Sequence, residues 1–169
     1  MKILLLIVAL VVLAGVVLGA SAKLDTPAQT STVNKIIEAP RETVWAALAD
    51  LESYSAWNPY ITEASGVLEE GEQLRLVLKP PGKDPEDATM KVLTARFERK
   101  LRVEDRLVLP GVRDEELTFR VIKITPSRVR FEETARLEGL LAPFADLEPT
   151  TDGLEAMAAA LAQRVEAGR

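Results

Sequence analysis

From Ile61 to Glu138 the chain repeats one pattern: short alternating apolar runs separated by turn residues, with no helical period between them. The runs are Ile61–Leu68, Glu72–Lys79, Ala88–Glu98, Leu101–Leu109, Glu115–Ile124 and Arg128–Glu138. Between them lie Glu70-Gly71, the polar loop Pro80 to Asp87, Arg99-Lys100, Pro110-Gly111 and Pro126-Ser127. Consecutive hairpins predict an antiparallel meander. A single long helix follows, predicted over Thr150 to Ala167, with Leu154, Met157, Ala158, Leu161 and Val165 on one face. One amphipathic helix covers only one face of such a sheet, so the sheet must curl around it. The fold class this predicts is α+β, with a curved antiparallel sheet of about six or seven strands against a C-terminal helix.

Ahead of this domain, Ile3 to Leu18 carries no polar side chain and follows Lys2. A secretory signal has this form, and Ala20-Ser21-Ala22 supplies a small-x-small cleavage site. An uncleaved anchor needs about 20 apolar residues, and Ile3 to Ala20 approaches that length. Either reading directs residues 1–22 to a membrane and places the domain outside the cytoplasm, with Lys2 inside. Residues 23–31, rich in Thr, Ser, Ala and Gln, are expected to form a linker, and residues 32–169 the folded domain.

The chain contains no cysteine and no histidine. Disulfides, thiolate and imidazole metal ligands, cysteine nucleophiles and histidine-dependent triads are therefore excluded. No cofactor is expected, and acid–base work would fall to Asp, Glu, Lys, Tyr or water. The net charge is −5, with no basic run, which argues against a nucleic-acid partner. The acidic stretches Glu69-Glu70, Asp84 to Asp87 and Asp114 to Glu116 read as solvated turn charge without metal-ligand spacing.

The start of the domain reads as a strand over Thr32 to Glu38, then a helix opened by Pro40 and Glu42 with Val44, Trp45 and Leu48 on its apolar face. Asp50 is placed to cap a second short helix through Tyr54. Here the residues become specific. Ile36-Ile37-Glu38-Ala39-Pro40, Val44-Trp45, Asp50, Tyr54 and Trp57-Asn58-Pro59-Tyr60-Ile61 resemble the opening of the SRPBCC superfamily. Glu138-Gly139-Leu140-Leu141-Ala142-Pro143 and Gly153 through Leu161 resemble its tail. That superfamily includes START-like lipid-binding domains and polyketide cyclase/dehydrase-like proteins. The resemblance runs from Thr32 to Glu166. It implies a helix-grip fold with a deep apolar pocket between sheet and last helix, and relatives that bind lipids, sterols or polyketides, some of them enzymes.

Within that frame the ligand-binding candidates are Trp57, Tyr60, Leu76, Met90, Arg96, Phe119, Phe131, Glu133, Met157 and Leu161. Trp57 and Tyr60 have apolar bodies with polar handles and stand at a helix-to-strand switch, suited to a pocket mouth or to packing under the short helices. Phe119 and Phe131 alternate inward with Leu117, Val121, Val129 and Leu137, and the alanines around Met157 and Leu161 leave room on the inner helix face. Glu133 breaks the pattern, because strict alternation places its carboxylate on the apolar face. A bulge would turn it outward, and an arginine such as Arg96, in phase with Met90, Val92 and Thr94, would pair with it. Glu133 is also a candidate catalytic group. The function expected is an extracytoplasmic domain that binds an apolar small molecule or lipid. Its rivals are a cyclase- or dehydratase-like enzyme using Glu133, Tyr60 or Arg96, and a protein-interaction domain with a collapsed pocket.

Overall fold

The computed structural model describes residues 28–106 and 111–167. The apolar segment Met1–Ala22, the start of the linker and the end of the strand expected at Leu101–Leu109 lie outside the described residues.

The chain forms β1 (Ala28–Ile37), α1 (Arg41–Ala49), a 3-10 turn (Leu51–Ser53), α2 (Tyr54–Trp57) and β2 (Ile61–Gly66). It continues through β3 (Gln73–Leu78), β4 (Glu86–Arg96), β5 (Lys100–Arg106), β6 (Asp114–Thr125) and β7 (Arg128–Glu138). A second 3-10 turn (Ala142–Phe144) then leads into α3 (Glu148–Glu166). All seven strands make one antiparallel sheet in the order β1-β7-β6-β5-β4-β3-β2. The meander runs in sequence from β2 to β7, and β1 closes it by pairing with β7 from Ala28↔Glu138 to Ile37↔Val129. This pairing begins strand structure at Ala28, inside the segment expected to be linker, because β7 is long enough to hold four more residues of its neighbour.

Inward alternation fills the concave face. Leu74, Leu76 and Leu78 from β3, Met90 and Val92 from β4, and Leu101 and Val103 from β5 are buried. Leu117, Phe119 and Val121 from β6 join Val129, Phe131, Ala135 and Leu137 from β7 in the same face. Helix α3, about 28 Å long at 1.5 Å per residue, lies across it and buries Leu154, Met157, Ala158, Leu161, Ala162 and Val165. Among the described residues no helix is long and apolar enough to cross a membrane.

Two local devices set the join between α2 and β2. Asp50 does not cap the short helices with its side chain, contrary to expectation; its carbonyl instead accepts from Ser53 N at 3.2 Å. Asn58, buried, accepts from the amides of Tyr60 and Ile61 at 3.0 and 2.9 Å and so fixes the turn into β2. Tyr60 is thereby aimed under α3, where its ring lies against Gly153. A Cβ at Gly153 would sit 2.3 Å from Tyr60 Cδ2 and 2.7 Å from Cε2. The glycine costs helix propensity but makes this ring-on-backbone contact possible.

The outer face carries charge. Arg120 pairs with Glu132 at 3.1 Å, Arg102 with Glu116 and Arg136 with Glu138. Asp114 to Glu116 belong to β6 rather than to a solvated turn: Asp114 Oδ2 accepts from Gly111 N at 3.0 Å, and Glu116 is bonded by Arg102 and Thr118.

Gly153→Ala is expected to destabilise the domain by about 1–3 kcal/mol through overpacking on Tyr60, read by urea denaturation. The same change in a Tyr60→Leu background should cost clearly less. An equal penalty in both backgrounds would mean the ring is not what Gly153 accommodates.

Candidate functional site

The concave face between sheet and α3 holds a polar group with no counterpart. Glu133 is fully buried, between Phe131 and Ala135 along β7, opposite Val33 of β1 and Phe119 of β6. The burial alternation of β7 runs unbroken from Arg128 to Glu138, so no bulge turns the side chain outward. The irregularity in the β6–β7 pairing lies at Lys123/Thr125, near the far turn. Neither carboxyl oxygen of Glu133 has a hydrogen-bond partner among the described residues. Burial alone pushes its pKa well above the ordinary carboxylate range, so it is held as the neutral acid. In that form it offers one O–H donor and an acceptor oxygen.

Two tyrosines share its electrostatic surroundings. Tyr54 and Tyr60 are both raised above the ordinary phenol value, chiefly by burial, and Glu133 contributes to each. Tyr54 is engaged elsewhere, its hydroxyl donating to the Leu48 carbonyl at 2.7 Å. Tyr60 reaches toward Thr150 and Glu115, at the end of the sheet where β6 begins. Sequence reasoning missed Tyr54 as a neighbour of Glu133; its place in the short α2 gives no periodic signal for an inward orientation.

The other candidates divide into those the fold gathers and those it separates. Phe119 and Phe131 stack with centroids 6.4 Å apart beside Glu133, and Met157 and Leu161 are fully buried on the facing helix. Leu76 and Met90 are buried farther along the sheet on β3 and β4. Trp57 stands apart from Tyr60. Its indole Nε1 donates to Ser53 Oγ at 3.2 Å, its ring meets Tyr54 edge-on at 5.1 Å, and Arg164 lies 5.9 Å from its centroid. It packs the short helices against the C-terminal half of α3.

Arg96 corrects the sequence expectation. The β4–β5 pairing shifts register between Val92 and Thr94, so the phase that buries Met90 and Val92 passes to Ala95, opposite the buried Leu101. Arg96 is exposed, and no Arg96–Glu133 pair forms.

A surface cleft of about 330 Å³ opens at the end of the sheet beside α3. It is lined by Pro59, Thr62, Lys79 to Lys83, Gly153 and Ala156, where β2 starts, β3 ends and α3 crosses above. Gly153 belongs both to this cleft and to the seat of the Tyr60 ring. A second cleft of similar volume, lined by Glu63, Arg75, Asp87 and Thr89 among others, opens on the outer face and does not approach Glu133.

A meander sheet closed by its first strand and gripping a C-terminal helix has known counterparts. The model of the family described as polyketide cyclase / dehydrase and lipid transport matches residues 28–167. The chain belongs to this family. Its fold is similar to a START superfamily protein from Mycobacterium smegmatis, with a TM-score of 0.65 and 21% identity over 83% of this chain and 99% of that one. It is also similar to the Zhui aromatase/cyclase from Streptomyces sp. R1128, with a TM-score of 0.60 and 19% identity over 83% and 94% of the two chains. Norcoclaurine synthase from Thalictrum flavum matches with a TM-score of 0.61 and 16% identity over 85% and 89%. No curated protein sequence matches the chain. At these identities the structural likenesses establish the helix-grip fold, while the family supports a hydrophobic-ligand-binding domain in general terms.

The buried acid generates a pH signature. The unfolded chain ionises Glu133 near the usual value of about 4.3, whereas the folded chain keeps its proton to much higher pH. The folded state therefore binds the extra proton, and this group's contribution is fully present below the unfolded value. It is lost as pH rises toward the folded value, at up to about 1.4 kcal/mol per pH unit. Glu133→Gln is expected to remove this slope, so that the variant gains on the wild type steadily from pH 5 to pH 8 in urea denaturation. A constant difference across that range would show that Glu133 is ionised and solvated in the folded protein.

Proposed function

We propose that this chain is a binding module that holds an apolar small molecule or lipid between the sheet and α3, with one polar group of the ligand meeting Glu133. The observation that carries this reading is the neutral, unpartnered Glu133 on an otherwise apolar face. Leaving a buried acid unsatisfied costs about 1–3 kcal/mol, and an apolar residue of similar shape would avoid that cost. A ligand hydroxyl or carbonyl satisfies it, and the surrounding Phe119, Phe131, Met157 and Leu161 supply the apolar contact that gives affinity. The route of entry we propose is the cleft at Pro59, Thr62, Lys79 to Lys83 and Gly153, with Tyr60 swinging from its seat on Gly153.

We further place the domain outside the cytoplasm, carried to or held at a membrane by Met1–Ala22. The apolar run from Ile3 to Leu18 and the small-residue site Ala20-Ser21-Ala22 support this reading.

An enzymatic reading has one specific support. A carboxylic acid kept neutral by burial is also a form in which cyclase- or dehydratase-like chemistry uses a proton donor. Tyr60 is the titratable side chain positioned to act with it, and its raised pKa keeps the phenol protonated.

Native mass spectrometry of the gently purified protein separates these readings. A stoichiometric extra mass removed by organic solvent is expected. Glu133→Leu should weaken retention of that ligand about tenfold, the worth of one buried hydrogen bond, while Glu133→Gln should stay within a few-fold. Retention by both variants combined with loss of turnover in Glu133→Gln would favour the enzyme. A clean apo mass after exposure to a lipid and polyketide panel, with Glu133→Leu simply more stable, would show a sealed core.

A further inference from the structure

We propose that the open end of the sheet seats on a phospholipid bilayer, with Leu140, Leu141 and Phe144 entering the interfacial layer beside the ligand cleft. Leu140, Leu141 and Phe144 are 68%, 47% and 86% exposed within five residues of chain. Scattered exposed apolar residues are ordinary, but three on one short loop form a contiguous apolar tip. The loop that carries them is firmly built. Gly139 holds φ +116, and a Cβ there would lie 2.6 Å from the Val112 carbonyl oxygen. The amides of Leu140 and Leu141 donate to Gly111 O and Val112 O at 3.0 Å each. Phe144 N closes a turn onto Leu141 O at 3.1 Å. The backbone is satisfied, and the apolar side chains are presented outward by a fixed frame.

Two further observations select a bilayer as the occupant. Gln29 Nε2 donates to the carbonyls of Ala142 and Ala145, tying this loop to the first residues of β1. The chain preceding β1 contains the apolar run Ile3–Leu18, and the residues Gly19 to Pro27 between them reach at most about 30 Å when extended. A membrane-embedded run would therefore enter the domain at this end, where β1 begins. Topology also gathers the ligand cleft here. The antiparallel order brings the starts of β1, β2, β4 and β6 and the ends of β3, β5 and β7 to the same end, with the N-terminus of α3 beside them. The cleft residues Pro59, Thr62 and Lys79 to Lys83 belong to it. The ligand of the proposed binding module would pass between bilayer and cleft without crossing water. Asp146 and Glu148 follow the tip in the chain, and of Asp114 and Glu115, next to Gly111 and Val112 that bond it, Glu115 is paired with Arg113, a set that gives no attraction for anionic headgroups.

The inference rests on reading Met1–Ala22 as a membrane segment, and its test separates the two. The chain has no cysteine, so Phe144→Cys and Phe97→Cys each accept one environment-sensitive fluorophore. Phe97 is 75% exposed on the turn at the opposite end. The full-length protein is reconstituted into phosphatidylcholine vesicles bearing doxyl-labelled acyl chains. The label at 144 is expected to shift its emission to the blue and be quenched by the doxyl groups, while the label at 97 does neither. Anionic lipid should not strengthen the effect. Equal, water-like emission at both sites would overturn the docking, and alkaline carbonate extraction of the same vesicles would show independently whether the N-terminal segment still holds the chain. A blue shift at 144 without doxyl quenching would overturn it too, by showing the tip covered by protein, such as a second copy of this chain.

Discussion

One helix must cover the whole concave face of a seven-stranded sheet, and the rest of the structure follows from that constraint. The sheet curls around the helix, β1 extends it beyond β7, and buried residues of the short helices α1 and α2 join the same core. Close approach of α3 requires small residues where it crosses, which Gly153, Ala158 and Ala162 provide. Gly153 is the tightest of these points, because an aromatic ring lies where its side chain would be.

Against this apolar background the charges behave in two distinct ways. On the outer face Arg120–Glu132 and Arg128–Glu38 are half-exposed pairs, each worth little in high dielectric. On the inner face Glu133 has no such partner and is held neutral by desolvation alone. Stability does not account for a residue whose replacement by an apolar side chain would remove a cost. The proposed role in recognition would account for it. The same buried donor would orient a ligand that apolar contacts alone would bind in many poses.

The two ends of the sheet are unlike. One end is closed by tight turns and by the C-terminal half of α3 against Trp57 and Asp50. The other collects the chain's entry into β1, the ligand cleft, the N-terminus of α3 and the apolar tip at Leu140, Leu141 and Phe144. Antiparallel topology enforces this segregation, since alternate connections must fall on opposite ends. The proposed binding and membrane contact would thereby share one end, with folding closure at the other.

Much of this was legible in the linear chain. The period-two runs from Ile61 to Glu138 and the helical face of Leu154, Met157, Ala158, Leu161 and Val165 specified the meander and its covering helix. Side-chain direction along a regular strand or helix is a local property. For the same reason the burial of Glu133 could be read from Val129, Phe131, Ala135 and Leu137 alone. What tertiary structure decided was everything that depends on pairing between distant segments. The bulge in β4 that turns Arg96 outward arises in its pairing with β5, the extra residues of β1 are ordered by β7, and the absence of any partner for Glu133 is a fact about its neighbours. The separation of Trp57 from Tyr60, three residues apart in sequence, belongs to the same class: Asn58 turns the chain between them, and only the packing of α3 shows that one ring lies beside Arg164 and the other against Gly153.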